Sequence, residues 1–147
     1  MHEAKCDKIQ EYNRRHPDDK LYPLIVIVDE FADLADQLGR NSAARKAFYD
    51  NIRRIAQLGR SRGIHLVLCT QRPSADLVPT NIRSLMNCRV ALRVNDATAS
   101  RMILEEPGAE QLQLMGDLLF KDLDTLYRAQ GYYVEPKDVV EFLRGVQ

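Results

Sequence analysis

Leu24-Ile25-Val26-Ile27-Val28-Asp29-Glu30 is the stretch on which the fold turns. Five consecutive aliphatic residues suit a strand with helices on both sides of its sheet, so the run predicts a parallel-sheet strand buried on both faces. Open α/β sheets bind their ligands beyond the carboxyl ends of the strands, and the two acids fall there. An aliphatic strand ending in Asp-Glu is the Walker B pattern of nucleoside triphosphatases. In that reading Asp29 holds Mg²⁺ through its water shell, and Glu30 orients and deprotonates the attacking water. An acid between a strand and a helix is also an ordinary N-cap, so the segments downstream carry the decision.

Ile64-His65-Leu66-Val67-Leu68-Cys69 reads as a second buried strand, with Thr70-Gln71-Arg72-Pro73 at its end. If the two strands are neighbours, Gln71 can reach both a γ-phosphate and the attacking water, as a polar sensor. It can equally be a plain loop residue ahead of Pro73. His65, in mid-strand, reads as a core or half-buried histidine, and Cys69 as a buried thiol. Leu58-Gly59-Arg60-Ser61-Arg62-Gly63 leads into this strand. Its glycines turn the chain tightly, and Arg60 and Arg62 are expected near the working edge of the sheet, where a guanidinium can stabilise phosphoryl charge held by a neighbouring subunit.

Between the strands, Phe31, Leu34, Ala35 and Leu38 have the spacing of a short amphipathic helix that Gly39 ends. Ser42 is a good N-cap for a longer helix to about Arg60, with Ala44, Ala47, Phe48, Ile52, Ile55 and Leu58 inward and Arg45 and Arg53 on a solvated face. Upstream, residues 1–15 suggest the end of a helix, and His16-Pro17-Asp18-Asp19-Lys20 is a turn-rich break. This divides the chain into an N-terminal remnant, 1–20, and a main part, 21–147. Downstream, a short helix is expected over Asn81 to Met86. Cys88 to Val94 alternates, with Cys88, Val90, Leu92 and Val94 on one face and Arg89, Ala91 and Arg93 on the other. Asp96 should cap a helix to Leu104. Gly116 to Phe120 and Gly131 to Val134 are expected to pair as a hairpin, and Pro136 to open a last helix with Val139, Val140 and Leu143 inward.

At 147 residues and 45% hydrophobic, the chain can bury one core. Lys plus Arg and Asp plus Glu are both 21, so contact with nucleic acid would need a local patch, not an overall basic charge. The three cysteines are far apart and show no zinc spacing, which argues against a disulfide framework or a zinc site. No run is long enough to span a membrane, and a cytoplasmic location is expected.

The order LIVIVDEFADL, then RIAQLGRSRGIHLVLCTQRPSADLVPTNIRSLMNCRVALRV, then SRMILEEPGAEQL and MGDLLF, closely resembles the C-terminal half of the motor domain of the FtsK/SpoIIIE family of DNA translocases. The likeness covers about Tyr22 to Phe120 and, more loosely, GYYVEPKDVVEFL. It implies an α/β, partial RecA-like P-loop NTPase fold, mostly a parallel sheet flanked by helices, with a small C-terminal hairpin and helix. It also implies a motor that forms a ring, usually a hexamer, hydrolyses ATP with Mg²⁺ between subunits and drives double-stranded DNA through its centre. Carried over by residue, Asp29 and Glu30 match the Walker B acids, and Gln71 in TQRP matches the sensor. Arg60 or Arg62, with Arg89 and Arg101 behind them, are candidates for the arginine acting in trans, and Ser74 to Thr80 for a loop on the DNA backbone. Any membrane contact would come through regions outside this chain.

Three departures qualify the resemblance. No GxxxxGK(S/T) phosphate loop occurs in the chain, which suggests a fragment of a longer protein that is inactive alone. The family's winged-helix tail is also missing, which suggests truncation or a mobile-element or secretion relative, and QLQLMG lacks an expected glycine, pointing to a divergent branch. A related motor moving protein, of the type VII secretion kind, and a non-catalytic oligomerisation module are the alternatives. A superfamily-two helicase would want other boxes after the acid pair, and a serine hydrolase a GxSxG elbow that is not here.

Overall fold

In the computed structural model, which describes residues 6–39 and 42–146, the chain divides into two compact units, one ending at Met86 and the other beginning at Asn87. The first five residues of the expected N-terminal remnant lie outside the described ones.

The first unit is built on strands β1, Leu24–Val28, and β2, Ile64–Leu68, which pair in parallel with Leu24 opposite Ile64 and Val28 opposite Leu68. A parallel pair needs a long crossover. Helices α2, Phe31–Gln37, and α3, Ala43–Leu58, provide it. Ser42 caps α3 as expected, its Oγ accepting from the Arg45 N–H at 2.9 Å. Gly39 ends the preceding segment at φ 74, where a side chain would be strained. Ahead of the pair, α1, Ile9–Arg15, buries Ile9, which fills the place a side chain on Gly63 would need. Gly59 is required for another reason. A Cβ there would lie 2.5 Å from the Ile55 carbonyl oxygen and 2.9 Å from that of Ile64, so Gly59→Ala is expected to destabilise this unit by about 1–3 kcal/mol, measurable by urea unfolding.

Burial departs from the expectation for β1. Phe31, Ile52 and Ile82, the last on the short helix α4, Thr80–Arg83, form the core, with Val28, Leu66, Leu68, Phe48 and Tyr49 packed against it. These cover one face of the strand pair. The other is open, with Ile25 63% and Ile27 66% exposed, and Val67, His65 and Cys69 exposed beside them. The two-sided burial of β1, the buried Cys69 and the half-buried His65 are therefore corrected: an all-aliphatic run says a strand can be covered on both sides, and here helices cover one. In α2 the inward residues are Phe31, Ala32 and Ala35, and Leu34 faces out. Arg45 is not on a solvated face. Its side chain is only 12% exposed and reaches Asp36 at 3.7 Å, the Asp76 carbonyl oxygen at 3.1 Å and the Tyr49 ring. Arg53 is exposed, as expected, beside Asp50.

The second unit is a three-stranded antiparallel sheet in the order β3-β4-β5, namely Cys88–Ala91, Asp117–Asp122 and Thr125–Gln130. Parallel pairing in the described chain is thus confined to β1 and β2. The hairpin partner of β4 is Thr125–Gln130, not the expected Gly131 to Val134, because the chain reverses at Leu123-Asp124, with Leu123 in the left-handed region at φ 54. The residues of β3 alternate as expected, with the Arg89 and Ala91 face turned toward the core. Ala91 is buried and Arg89 nearly so, while Cys88, Val90 and Leu92 are exposed. Arg89 is held inward by the Ile103 carbonyl oxygen at 3.2 Å and Glu105 at 2.9 Å. Helix α5, Ala97–Leu104, starts on Asp96, whose Oδ1 accepts from the Ala99 N–H, and buries Leu104 against Ala91, Ala109, Leu112 and Leu119. Lys121, also buried, donates to the Leu104 carbonyl oxygen and to Glu106. Pro136 opens α6, Pro136–Gly145, as expected, but Val139, Val140 and Leu143 face out, since no residue of α6 is buried.

Asp117 is the electrostatic anchor of the β-hairpin. Arg128 binds both its oxygens, at 2.9 and 2.6 Å, and the Gln113 N–H donates at 2.7 Å, which together hold its pKa down to about 2. A depressed carboxylate contributes stability above its unfolded pKa and loses it as the pH falls through the folded one. Thermal unfolding should therefore show this unit weakening between about pH 4 and pH 2, and Asp117→Asn should remove that part of the acid dependence.

Candidate active site

Because β1 and β2 run in parallel and in register, the residues after Val28 and after Leu68 emerge side by side at one end of the sheet. The Phe31 N–H donates to the Cys69 carbonyl oxygen at 2.8 Å, and the Cys69 N–H to that of Val28 at 2.9 Å, which carries the pairing past both strand ends. Asp29 is exposed there, with one carboxylate oxygen accepting from the Glu30 N–H at 3.1 Å. Glu30 is left-handed, φ 46 and ψ 59, an unfavourable conformation for a side chain of this kind and one often found at functional sites. Its carboxylate accepts from the Thr70 hydroxyl at 2.9 Å and from the Gln71 N–H at 3.2 and 3.4 Å. Glu30 does not cap α2 through its side chain, so the plain N-cap reading of this acid does not hold.

The sequence singled out Asp29, Glu30 and Gln71, and all three lie at this sheet end. It did not single out Thr70 or Arg72. The Arg72 N–H donates to Thr70 Oγ1 at 3.1 Å, and its guanidinium reaches Asp33 at 2.6 Å and Asp36 at 3.0 Å, one turn apart on α2. The available signal was a hydroxyl and an arginine flanking Gln71, opposite two acids spaced three apart on a helix.

Residues 9–75 match the profile of the FtsK/SpoIIIE family. Over 145 residues, 95% of the chain, the sequence is 42% identical to the DNA translocase FtsK of Streptococcus pneumoniae (strain ATCC BAA-255 / R6), of which it spans 18% of the length. The chain belongs to the FtsK/SpoIIIE family. Its fold is also that of two solved structures. The conjugation coupling protein TcpA of pCW3, in a monomer form with ATPγS, superposes over 99% of this chain and 43% of TcpA, with TM-score 0.83 and 27% identity. The cytoplasmic domain of the type VII secretion ATPase EccC of Thermomonospora curvata superposes over 92% of this chain and 15% of EccC, with TM-score 0.76 and 26% identity. The α/β motor fold of P-loop ATPases expected from the sequence is the fold of this chain.

Other candidates carried over from the FtsK/SpoIIIE pattern belong to other segments. Arg60 and Arg62 form a 3-10 turn ahead of β2, at the end of the parallel pair opposite the acids. A five-residue strand separates the two ends by about 17 Å, so these arginines are not near the acid-bearing edge, contrary to expectation. Arg89 is committed to Glu105 and the Ile103 carbonyl, and Arg101 is exposed on α5. The Ser74 to Thr80 loop is pinned down. Tyr49 donates to the Leu77 carbonyl oxygen at 2.7 Å, Arg45 to that of Asp76, and Leu77 is buried. Its one charged side chain is Asp76, which suits a DNA backbone poorly.

For Mg²⁺, no group of three or more His, Cys, Asp or Glu among the described residues could hold a metal. Mg²⁺ keeps several waters and takes one or two carboxylates plus substrate phosphates, so the exposed Asp29 fits as a single ligand acting through water. No helix of the described residues is long and apolar enough to cross a membrane.

Proposed function

We propose that this chain supplies the hydrolytic half of an ATP-driven ring motor that moves double-stranded DNA, in chromosome segregation or conjugative transfer. The observation that carries the proposal is the meeting of Glu30 with Thr70 and Gln71 at adjacent tips of a parallel strand pair. Glu30 is the general base that takes the proton of the attacking water, and the Gln71 side-chain amide orients that water and senses the γ-phosphate. Asp29 holds the metal through water. Bound Mg²⁺ would neutralise charge on the phosphates. The phosphate loop comes from a part of the motor outside this chain, since GxxxxGK(S/T) does not occur in it, so the chain alone neither binds ATP tightly nor hydrolyses it. In this reading Arg60 or Arg62, at the far end of the strand pair, acts on a neighbouring subunit's nucleotide, with assembly as a hexamer in the cytoplasm. The DNA contact itself is electrostatic and nearly blind to sequence.

A second reading, a motor for protein substrates, is favoured by the absence of a basic excess and by the likeness to EccC. A DNA-stimulation assay separates the two. The motor protein containing this segment should hydrolyse ATP faster on double-stranded DNA, with the stimulation lost at high salt, and should displace a third strand from a DNA triplex. Turnover indifferent to DNA, together with no triplex displacement, would reject DNA as the cargo.

A further inference from the structure

We propose that Thr70 is the positioning residue for Glu30. The inference rests on the reading of Glu30 as the base, and it adds what holds that base in place. A glutamate side chain has three rotatable bonds, and a solvent-facing carboxylate on such a stem samples many directions. Glu30 has both oxygens engaged by the neighbouring strand tip, Oε1 by the Thr70 hydroxyl at 2.9 Å and Oε2 by the Gln71 N–H at 3.2 Å.

A hydroxyl rotor carries one proton and can point it anywhere unless its lone pairs are engaged. The Thr70 lone pair accepts from the Arg72 N–H at 3.1 Å, which directs the proton at Glu30. The loop carrying these donors is fastened to the helix that follows Glu30, because the Arg72 guanidinium spans Asp33 and Asp36 on α2 at 2.6 and 3.0 Å. Glu30 and its donors thus sit in one closed circuit, from the base to Thr70, through Arg72 to α2, and back along the chain to the base. Thr70 touches neither phosphate nor water in this scheme and acts through Glu30. Gln71 remains free to use its side chain, since only its backbone is engaged with the acid.

Three substitutions in the motor protein that contains this segment test the proposal. Thr70→Val keeps shape and removes the hydroxyl, Thr70→Ser keeps the hydroxyl, and Glu30→Gln reports on the base itself. Thr70→Val should lower kcat about tenfold to a hundredfold, the range expected when a catalytic group is misplaced by about an ångström, with KM for ATP and Tm near the parent values. Thr70→Ser should restore most of the rate, which a loss of packing would not allow. Thr70→Val with a parent-like kcat, alongside a slow Glu30→Gln, would overturn the positioning role and leave the base assignment standing. A normal rate in Glu30→Gln would instead remove the base assignment itself. Should the Val variant fail to fold, amide hydrogen exchange in the 147-residue chain supplies the decision. Glu30→Ala, which leaves no acceptor, should speed exchange at Gln71 if the carboxylate contact exists, and an unchanged rate would contradict it.

Discussion

A Glu30→Gln motor is expected to bind ATP as the parent does and to turn it over at least about a hundredfold more slowly, the range lost with a general base. The substitution keeps the length and shape of the side chain, and the glutamine oxygen still accepts. Its nitrogen does not, so the two donors now engaged, the Thr70 hydroxyl and the Gln71 N–H, must share one oxygen or turn elsewhere. Fold and nucleotide affinity have little reason to change, since among the described residues the Glu30 carboxylate bonds to these two donors alone. Separate measurements of nucleotide binding and of turnover distinguish the outcomes. Loss of binding together with rate would mean that Glu30 supports the pocket as a whole, and an unchanged rate would place the base elsewhere.

The second large effect is structural. Phe31→Ala is expected to cost the first unit about 3–5 kcal/mol, the range for deleting a fully buried aromatic ring. Phe31 is 0% exposed, stacked on Phe48 at 5.3 Å and edge-on to Tyr49 at 5.9 Å. It also follows Glu30 directly, and its N–H to the Cys69 carbonyl oxygen ties the two strand tips together. Urea unfolding of the 147-residue chain checks the number. A loss below about 1 kcal/mol would mean that neighbouring side chains refill the space and that the ring is not what seats the acids. The aromatic that anchors the core is therefore covalently next to the residue that carries the chemistry, which gives the left-handed Glu30 backbone a rigid support.

The site was legible in the sequence to the extent that it depends on position along strands. An aliphatic run followed by two acids, and a second run followed by Gln71, state their own order, and parallel pairing then brings their ends together without further information. What the runs do not state is which face is covered. Ile25 and Ile27 are as apolar as Val26 and Val28, yet the helices meet only the latter pair's side. Period-two alternation sorts the residues of β3 into two faces without saying which is covered, and Arg89 is drawn inward by Glu105 and a backbone carbonyl. The β4-β5 turn was missed because Leu123-Asp124 lacks the glycine or asparagine that marks such reversals. Arg60 and Arg62 lie at the end opposite the acids because their loop leads into β2 and not out of it, which its glycines do not reveal. Thr70 and Arg72 went unnoticed because contacts between a hydroxyl, a backbone N–H and a carboxylate leave no periodic trace.

The central claim is that Asp29, Glu30 and Gln71 form one half of a nucleotide pocket. A structure of the motor protein containing this segment, with Mg²⁺ and a non-hydrolysable ATP analogue bound, tests it most directly. The account predicts the Gln71 amide and the Glu30 carboxylate within hydrogen-bond reach of the γ-phosphate or of a water poised on it, and Asp29 on a water of the metal. A nucleotide bound away from this sheet end, with no contact to any of the three, would contradict it.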